Sequence, residues 1–188
     1  MKTNRKFLSL LLFSSVVVFG FGGCNRERGA QAAREDRASS ISPAEEEFMT
    51  KAAHANLSEI EMARMALQKS DDIDVREYAK MVQSDHINAL TGLTDLMKDQ
   101  DVPQPKSPPP DAAQDIARAS VLTGPEFDRE FINMMVADHQ KAVEMFREES
   151  AATRNPDMKK YVEVVLPKLE MHLEKAQRLQ SKLFALLK

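Results

Sequence analysis

From residue 99 to residue 124 the chain reads DQDVPQPKSPPPDAAQDIARASVLTG, and this stretch decides how the segments on either side of it can be arranged. Five of the chain's nine prolines fall here, Pro103, Pro105, Pro108, Pro109 and Pro110. The first half is therefore extended, because proline lacks the N–H that a helix interior or a sheet ladder requires. From Asp111 to Leu122 the pattern allows a short helix. On both sides lie longer helical patterns. A helix of about 25 residues is about 38 Å long, and this connection can travel back along that length. The long helices before and after it can then run parallel, each paired with an antiparallel neighbour.

Four long helices are expected. Ser42-Pro43-Ala44-Glu45 is a capping box with proline at the first helical position, and apolar spacing at helical period runs from there to about Ser70. DDID interrupts it. A second helix spans about Asp74 to Lys98, a third about Pro125 to Ser150 after a Thr-Gly start signal, and a fourth about Asn155 to the C-terminus. Glycine is scarce and no segment alternates like a strand. The expected fold is all-α: a ferritin-like four-helix bundle over residues 43–188, with a long crossover between the second and third long helices.

The N-terminal end reads differently. MKTNRK is basic, FLSLLLFSSVVVFGF is apolar but short for a membrane span, and GGC follows. Residues 1–23 are expected to be a lipoprotein-type signal peptide. Cys24, the chain's single cysteine, follows Gly22 and Gly23 in a setting that resembles a bacterial lipobox, although Phe21 replaces the usual leucine. Cys24 is expected to be lipidated, and no disulfide framework can form. Residues 24–42 are of mixed charge with little to bury, so they form a flexible tether. Removing residues 1–23 takes away Lys2, Arg5 and Lys6, leaving 23 basic residues against 29 acidic ones. That balance argues against nucleic acid as a partner. The expected location is the cell envelope, with Asn25 after the cysteine resembling an outer-membrane sorting signal that leaves the protein facing the periplasm.

Turned at 100° per residue, each long helix places one metal-competent side chain at the centre of its apolar face. Glu59 lies among Phe48, Ala52, Met62 and Ala63, His86 among Val82, Ala89 and Leu93, His139 among Met135, Val136 and Val143, and His172 among Val165, Leu169 and Ala176. His54 falls on a polar face and reads as a surface histidine. Three imidazoles and one carboxylate suit zinc, copper, iron or manganese. The other reading is a hydrogen-bonded polar core that fixes helix register and binds nothing. Asp85 and Asp138 precede two of the histidines and lie about 100° round from them, where each could accept an N–H from a histidine of another helix. Their surroundings repeat, VREYAKMVQSDHINAL against DREFINMMVADHQKAV. Pro167, inside the fourth helix, is expected to kink it and free the Glu163 carbonyl.

The runs FMTKAAHANLSEIEMARMALQKSDDIDVREYAKMVQSDH, GPEFDREFINMMVADHQKAVEMF and LPKLEMHLEKAQRL together resemble the bacterial envelope family called domain of unknown function 4142. The resemblance covers about residues 43 to 185 and implies a ferritin-like fold in the envelope, with no established activity. Ferritin di-iron centres use Glu-x-x-His, whereas Gln83, Val136 and Leu169 stand three residues before the histidines here. One mononuclear site fits better than two bridged irons. Neither a partnered nucleophile nor a phosphate loop is present. Three function classes remain: a metal-binding envelope protein for metal handling or oxidant defence, an envelope adaptor or stress-associated structural protein, and a metal-dependent oxidase.

Overall fold

The computed structural model describes residues 41–185, so the expected signal peptide, Cys24 and most of the tether lie outside the described residues. Those residues hold five helices and no strand: α1 (Pro43–Lys69), α2 (Ile73–Asp99), α3 (Pro110–Ser120), α4 (Gly124–Ala152) and α5 (Pro156–Ala185). Four are long, and α3 is the short helix within the crossover. None is long and apolar enough to cross a membrane.

The helix starts have local chemical causes. At α1, Ser42 Oγ accepts the Glu45 N–H at 3.2 Å and Glu45 Oε2 accepts the Ser42 N–H at 2.7 Å, which satisfies two otherwise unpaired donors. The second Glu45 oxygen accepts from Thr153 Oγ1 at 2.6 Å, tying the start of α1 to the end of α4. Asp72 Oδ1 caps α2 through the Asp74 and Val75 amides. Asn155 Oδ1 does the same for α5 through Asp157 and Met158. At the start of α4, Gly124 takes φ +53, a conformation that glycine adopts without steric cost. Helix α5 continues through Pro167 from Pro156 to Ala185, although the proline leaves the Glu163 carbonyl without its usual partner.

The direction of each helix follows from which ends meet. One apolar cluster joins Met62 and Ala66 of α1, Val75 and Tyr78 of α2, Phe127 and Phe131 of α4, and Ala176 and Leu183 of α5. The other joins Phe48 and Met49, Leu93 and Met97, Val143 and Phe146, and Met158 and Val162. The starts of α2 and α4 therefore share one end of the bundle with the finishes of α1 and α5. Helices α2 and α4 run parallel, and each packs against α1 and α5. Phe127 and Phe131 stack with ring planes 3° apart, and Tyr78 meets Phe131 edge-on at 6.2 Å.

The crossover returns along α1. Gln104 donates to the Thr94 carbonyl, His54 Nδ1 donates to the Ser107 carbonyl at 3.1 Å, and Lys69 donates to the carbonyls of Ser120 and Leu122. Helix α3 packs on α1 and α4 through buried Ile116 and Ala119. His54 thus lies on a polar face, as its position in the helix implies, and it also pins the crossover. Because the α1 cap satisfies two backbone donors, Ser42→Ala is expected to lower stability by about 1 kcal/mol. The check is a shift in urea midpoint with unchanged slope.

Candidate metal centre

Between the two apolar clusters lies a polar layer to which all four long helices contribute. Glu59 is 1% exposed, His86 4%, His139 0% and His172 1%. The structure brings these four residues together: Glu59 Oε2 is 3.0 Å from His86 Nε2 and 3.2 Å from His139 Nε2, and His139 Nε2 is 3.2 Å from His172 Nδ1. One ring nitrogen from each histidine falls within 4.8 Å of the others. A tetrahedral ion bound at 2.0–2.1 Å holds its donor atoms about 3.3 Å apart, close to the three shorter separations.

The outward face of each ring decides what its inward nitrogen can be. His139 Nδ1 lies 2.9 Å from the Met135 carbonyl, which can only accept, so Nδ1 carries the proton. His172 Nε2 lies 3.0 Å from Asp85 Oδ2 and donates to that carboxylate. His86 Nδ1 lies 3.0 Å from Asn56 Oδ1. The orientation of that amide is set on its other side, where Asn56 Nδ2 donates to the Ala52 carbonyl at 2.7 Å, so Oδ1 accepts and His86 Nδ1 donates. Each singly protonated imidazole then presents a bare lone pair to the interior. Those of His86 and His139 face Glu59, and that of His172 faces His139 Nε2; both Glu59 oxygens are buried without a hydrogen-bond partner, as is His86 Nε2. The 3.0 Å approach of His86 Nε2 to Glu59 is a close contact whose alignment is not that of a hydrogen bond.

Charge makes the arrangement more demanding. Burial, reinforced by His139 and His86, holds the His172 pKa down to about 4, against the pull of Asp85 and Glu59. Burial lowers His139 as well, although Glu59 pulls it the other way. Burial pushes Glu59 up, but the charged forms of His139, His86 and His172 outweigh it and hold the carboxyl at about 2. That pull exists only while the imidazoles are charged, and near neutral pH burial keeps His139 and His172 neutral. Neutral His139 and His172 then supply no positive charge to offset the burial of the carboxylate. A cation among the four would satisfy every group, so the residues fit a bound metal.

The expected supporting residues divide. Asp85 accepts from His172 of α5 and from Lys168 Nζ at 2.6 Å, which is the expected contact with a histidine of another helix. Asp138 makes no such contact, which corrects the expectation drawn from its sequence. Its one hydrogen-bond partner among the described residues is Lys141, at 3.5 Å, and it faces Glu59 rather than an imidazole. Burial raises its pKa, and the charge of Glu59 adds to this. Periodicity did not single out Asn56 or Lys168. Asn56 precedes Glu59 by three residues on the same buried face, and that polar position was the available signal.

The tautomers are observable. In the metal-free protein at pH 7, ring ¹⁵N shifts should report His139 with its proton on Nδ1 and His172 with its proton on Nε2, and His172 should gain a second proton only near pH 4. An unfolded imidazole takes that proton near pH 6.5. The unfolded state therefore binds more protons between about pH 6.5 and 4, and the metal-free fold should lose stability as pH falls through that window. Thermal melts across it provide the check.

The architecture has relatives among solved structures. A DUF305 fragment from Deinococcus radiodurans superposes with a TM-score of 0.67 at 17% identity, covering 75% of this chain and 97% of that one. A putative secreted DUF305 protein from Streptomyces coelicolor gives 0.63 at 15% identity, covering 72% and 91%. CopM in its Cu(I)-bound form gives 0.61 at 22% identity, covering 72% and 93%. At such identities the likeness is one of fold. No curated protein matches the sequence. Residues 30–179 match the family described as "Domain of unknown function (DUF4142)", and the chain belongs to that family.

Proposed function

We propose that this protein is a lipid-anchored component of the bacterial cell envelope whose ferritin-like four-helix bundle binds one transition-metal ion through Glu59, His86, His139 and His172. Asp85, Asn56 and the Met135 carbonyl hold the rings in their binding tautomers. The observation that carries this reading is the orientation of the three imidazoles: each commits one N–H to an outward acceptor, the bare nitrogens of His86 and His139 lie 3.0 and 3.2 Å from buried Glu59, and that of His172 lies 3.2 Å from His139 Nε2. A bundle that needed only a polar core would gain more from donors facing Glu59. With a single carboxylate and no Glu-x-x-His motif, the donor set favours one ion over a bridged di-iron pair. The neighbour described as CopM in the Cu(I)-bound form supports a metal site in this fold and keeps copper among the candidates, beside zinc, iron and manganese. The function class is metal handling or oxidant defence.

The test is metal content with a thermal melt. Wild-type protein should bind one ion per chain, and at a free concentration one hundred times Kd the ion should add about 2.7 kcal/mol of stability. His139→Ala and Glu59→Gln should each weaken binding by at least ten-fold, while His54→Ala should bind normally. A wild-type melting curve unmoved by zinc, copper, manganese and iron would refute the proposal in favour of a polar core.

For the anchor, the supporting observations are the leader-like N-terminus ending at Cys24 and a fold relative described as a putative secreted protein. The expected placement is the outer membrane, facing the periplasm. Wild-type protein should partition into detergent with the membrane fraction, and Cys24→Ala should release it or stop its maturation. Recovery of unmodified wild-type protein from the soluble periplasm would rule out the anchor.

A further inference from the structure

The two helix seams that flank the centre are chemically unlike. On the α2/α5 seam, Asp85 is saturated: one oxygen accepts from His172 and the other from Lys168, whose ammonium stands at the outer side. A cation approaching there passes Asp99 and Asp157 in the outer groove but meets the ammonium groups of Lys160 and Lys168, and at Asp85 two oxygens that already accept hydrogen bonds. On the α1/α4 seam, Asp138 has only a 3.5 Å contact with Lys141, a side chain 80% exposed. Directly inside it lies Glu59, fully buried with both oxygens unpartnered.

Two cavities lead to this point beneath α3. The inner one, of about 80 Å³, is lined by Glu59, Asp138 and Asp111, with Lys141 also on its wall. The outer one, of about 490 Å³, is lined by the same three carboxylates together with Lys141 and His54. They form a series of increasing burial, from exposed Asp111 through half-buried Asp138 to Glu59. Asp115 also borders the inner cavity, but it is paired with Arg118 at 2.6 Å. A water molecule's share of liquid volume is about 30 Å³, so the inner cavity has room for a partly hydrated cation.

We infer that the α1/α4 seam beneath α3 is the route by which a metal cation reaches the centre, with Asp111 as the outer carboxylate and Asp138 as the relay that hands the ion to Glu59. This rests on the reading of the centre as a metal site. Each carboxylate replaces part of the ion's hydration shell before the next is reached, so the ion is never stripped in one step. Asp111, Asp138 and Glu59 outnumber Lys51 and Lys141 along this path, and a net negative lining concentrates a cation and speeds its arrival. Lys141 is displaced from Asp138 as the ion passes.

The experiment follows uptake of zinc, and separately of manganese, by metal-free wild-type protein in stopped flow. Asp138→Asn should slow uptake about ten-fold at low ionic strength, and Asp111→Asn several-fold, with smaller effects in high salt. Both variants should still bind one ion per chain at equilibrium and melt, metal-free, near the wild-type temperature. Asp99→Asn with Asp157→Asn makes an equal or larger charge change in the groove between α2 and α5, and should leave the rate unchanged. Normal binding with a rate indifferent to Asp138 and Asp111 would overturn the route and leave the metal site standing. Equal slowing by the pair in the α2/α5 groove would reduce the effect to net charge and overturn it too. Failure of the wild type to take up any of zinc, manganese, copper and iron would overturn the route together with the site.

Discussion

A carboxylate sealed from water costs several kcal/mol unless positive charge or hydrogen-bond donors meet it, and the position of Glu59 makes that requirement govern the whole bundle. Its neighbours come from α2, α4 and α5, so the four helices must reach the same depth at Glu59, His86, His139 and His172. The polar layer separates the two apolar clusters and fixes the register between them. A shift of α1 by one turn, about 5.4 Å, would move the carboxylate to the level of Met135 or Val143 of α4 and bring alanine and methionine of α1 to the imidazoles. Apolar packing alone penalises such a slip weakly, because much of the facing surface of α1 is alanine and methionine. The centre therefore specifies alignment, while the aromatic clusters supply most of the burial.

The centre also explains the long crossover. Three of the four proposed donors are histidines whose ring nitrogens meet in the polar layer, and two of them sit at matching positions in the repeated segments of α2 and α4. Equal positions reach equal depth only when helices run parallel. Parallel helices in sequence cannot be joined by a tight turn, so the chain needs a segment that travels the length of the bundle. His54 holds the proline-rich half of the crossover against α1, Lys69 holds the end of its helical half, and that half covers the α1/α4 seam beside Glu59. Topology and site are two consequences of one placement.

Much of this was legible beforehand, for physical reasons that differ by feature. The long helices were readable because capping residues such as Ser42, Asp72 and Asn155 stand where apolar spacing begins, and observed ends fall within about two residues of those expected. The four central side chains were readable because a polar residue in the middle of an apolar stripe is conspicuous at helical period. The tautomers were not, since they depend on the Met135 carbonyl, the Asn56 amide and Asp85, whose contacts arise only once helices are packed. The added role of His54 was hidden for the same reason: its acceptor lies in a segment without periodicity.

Asp138 shows where local likeness stops predicting contacts. Its surroundings repeat those of Asp85, and both precede a histidine of the centre, yet Asp85 accepts from an imidazole and Asp138 does not. The difference lies in the opposite helices. Glu59 and His172 stand equally far beyond Pro43 and Pro156, which open α1 and α5, so they are counterparts across the bundle. Asp85 looks onto the counterpart that is a histidine, and Asp138 onto the one that is a glutamate. Two carboxylates then approach each other, and burial together with Glu59 raises the Asp138 pKa. An arrangement with histidine at both positions would give two closed seams and a centre short of negative charge. Glutamate on α1 supplies that charge and leaves both of its own oxygens unmatched by protein donors beside the α1/α4 seam, so the proposed ligand set and the proposed route trace to the same residue.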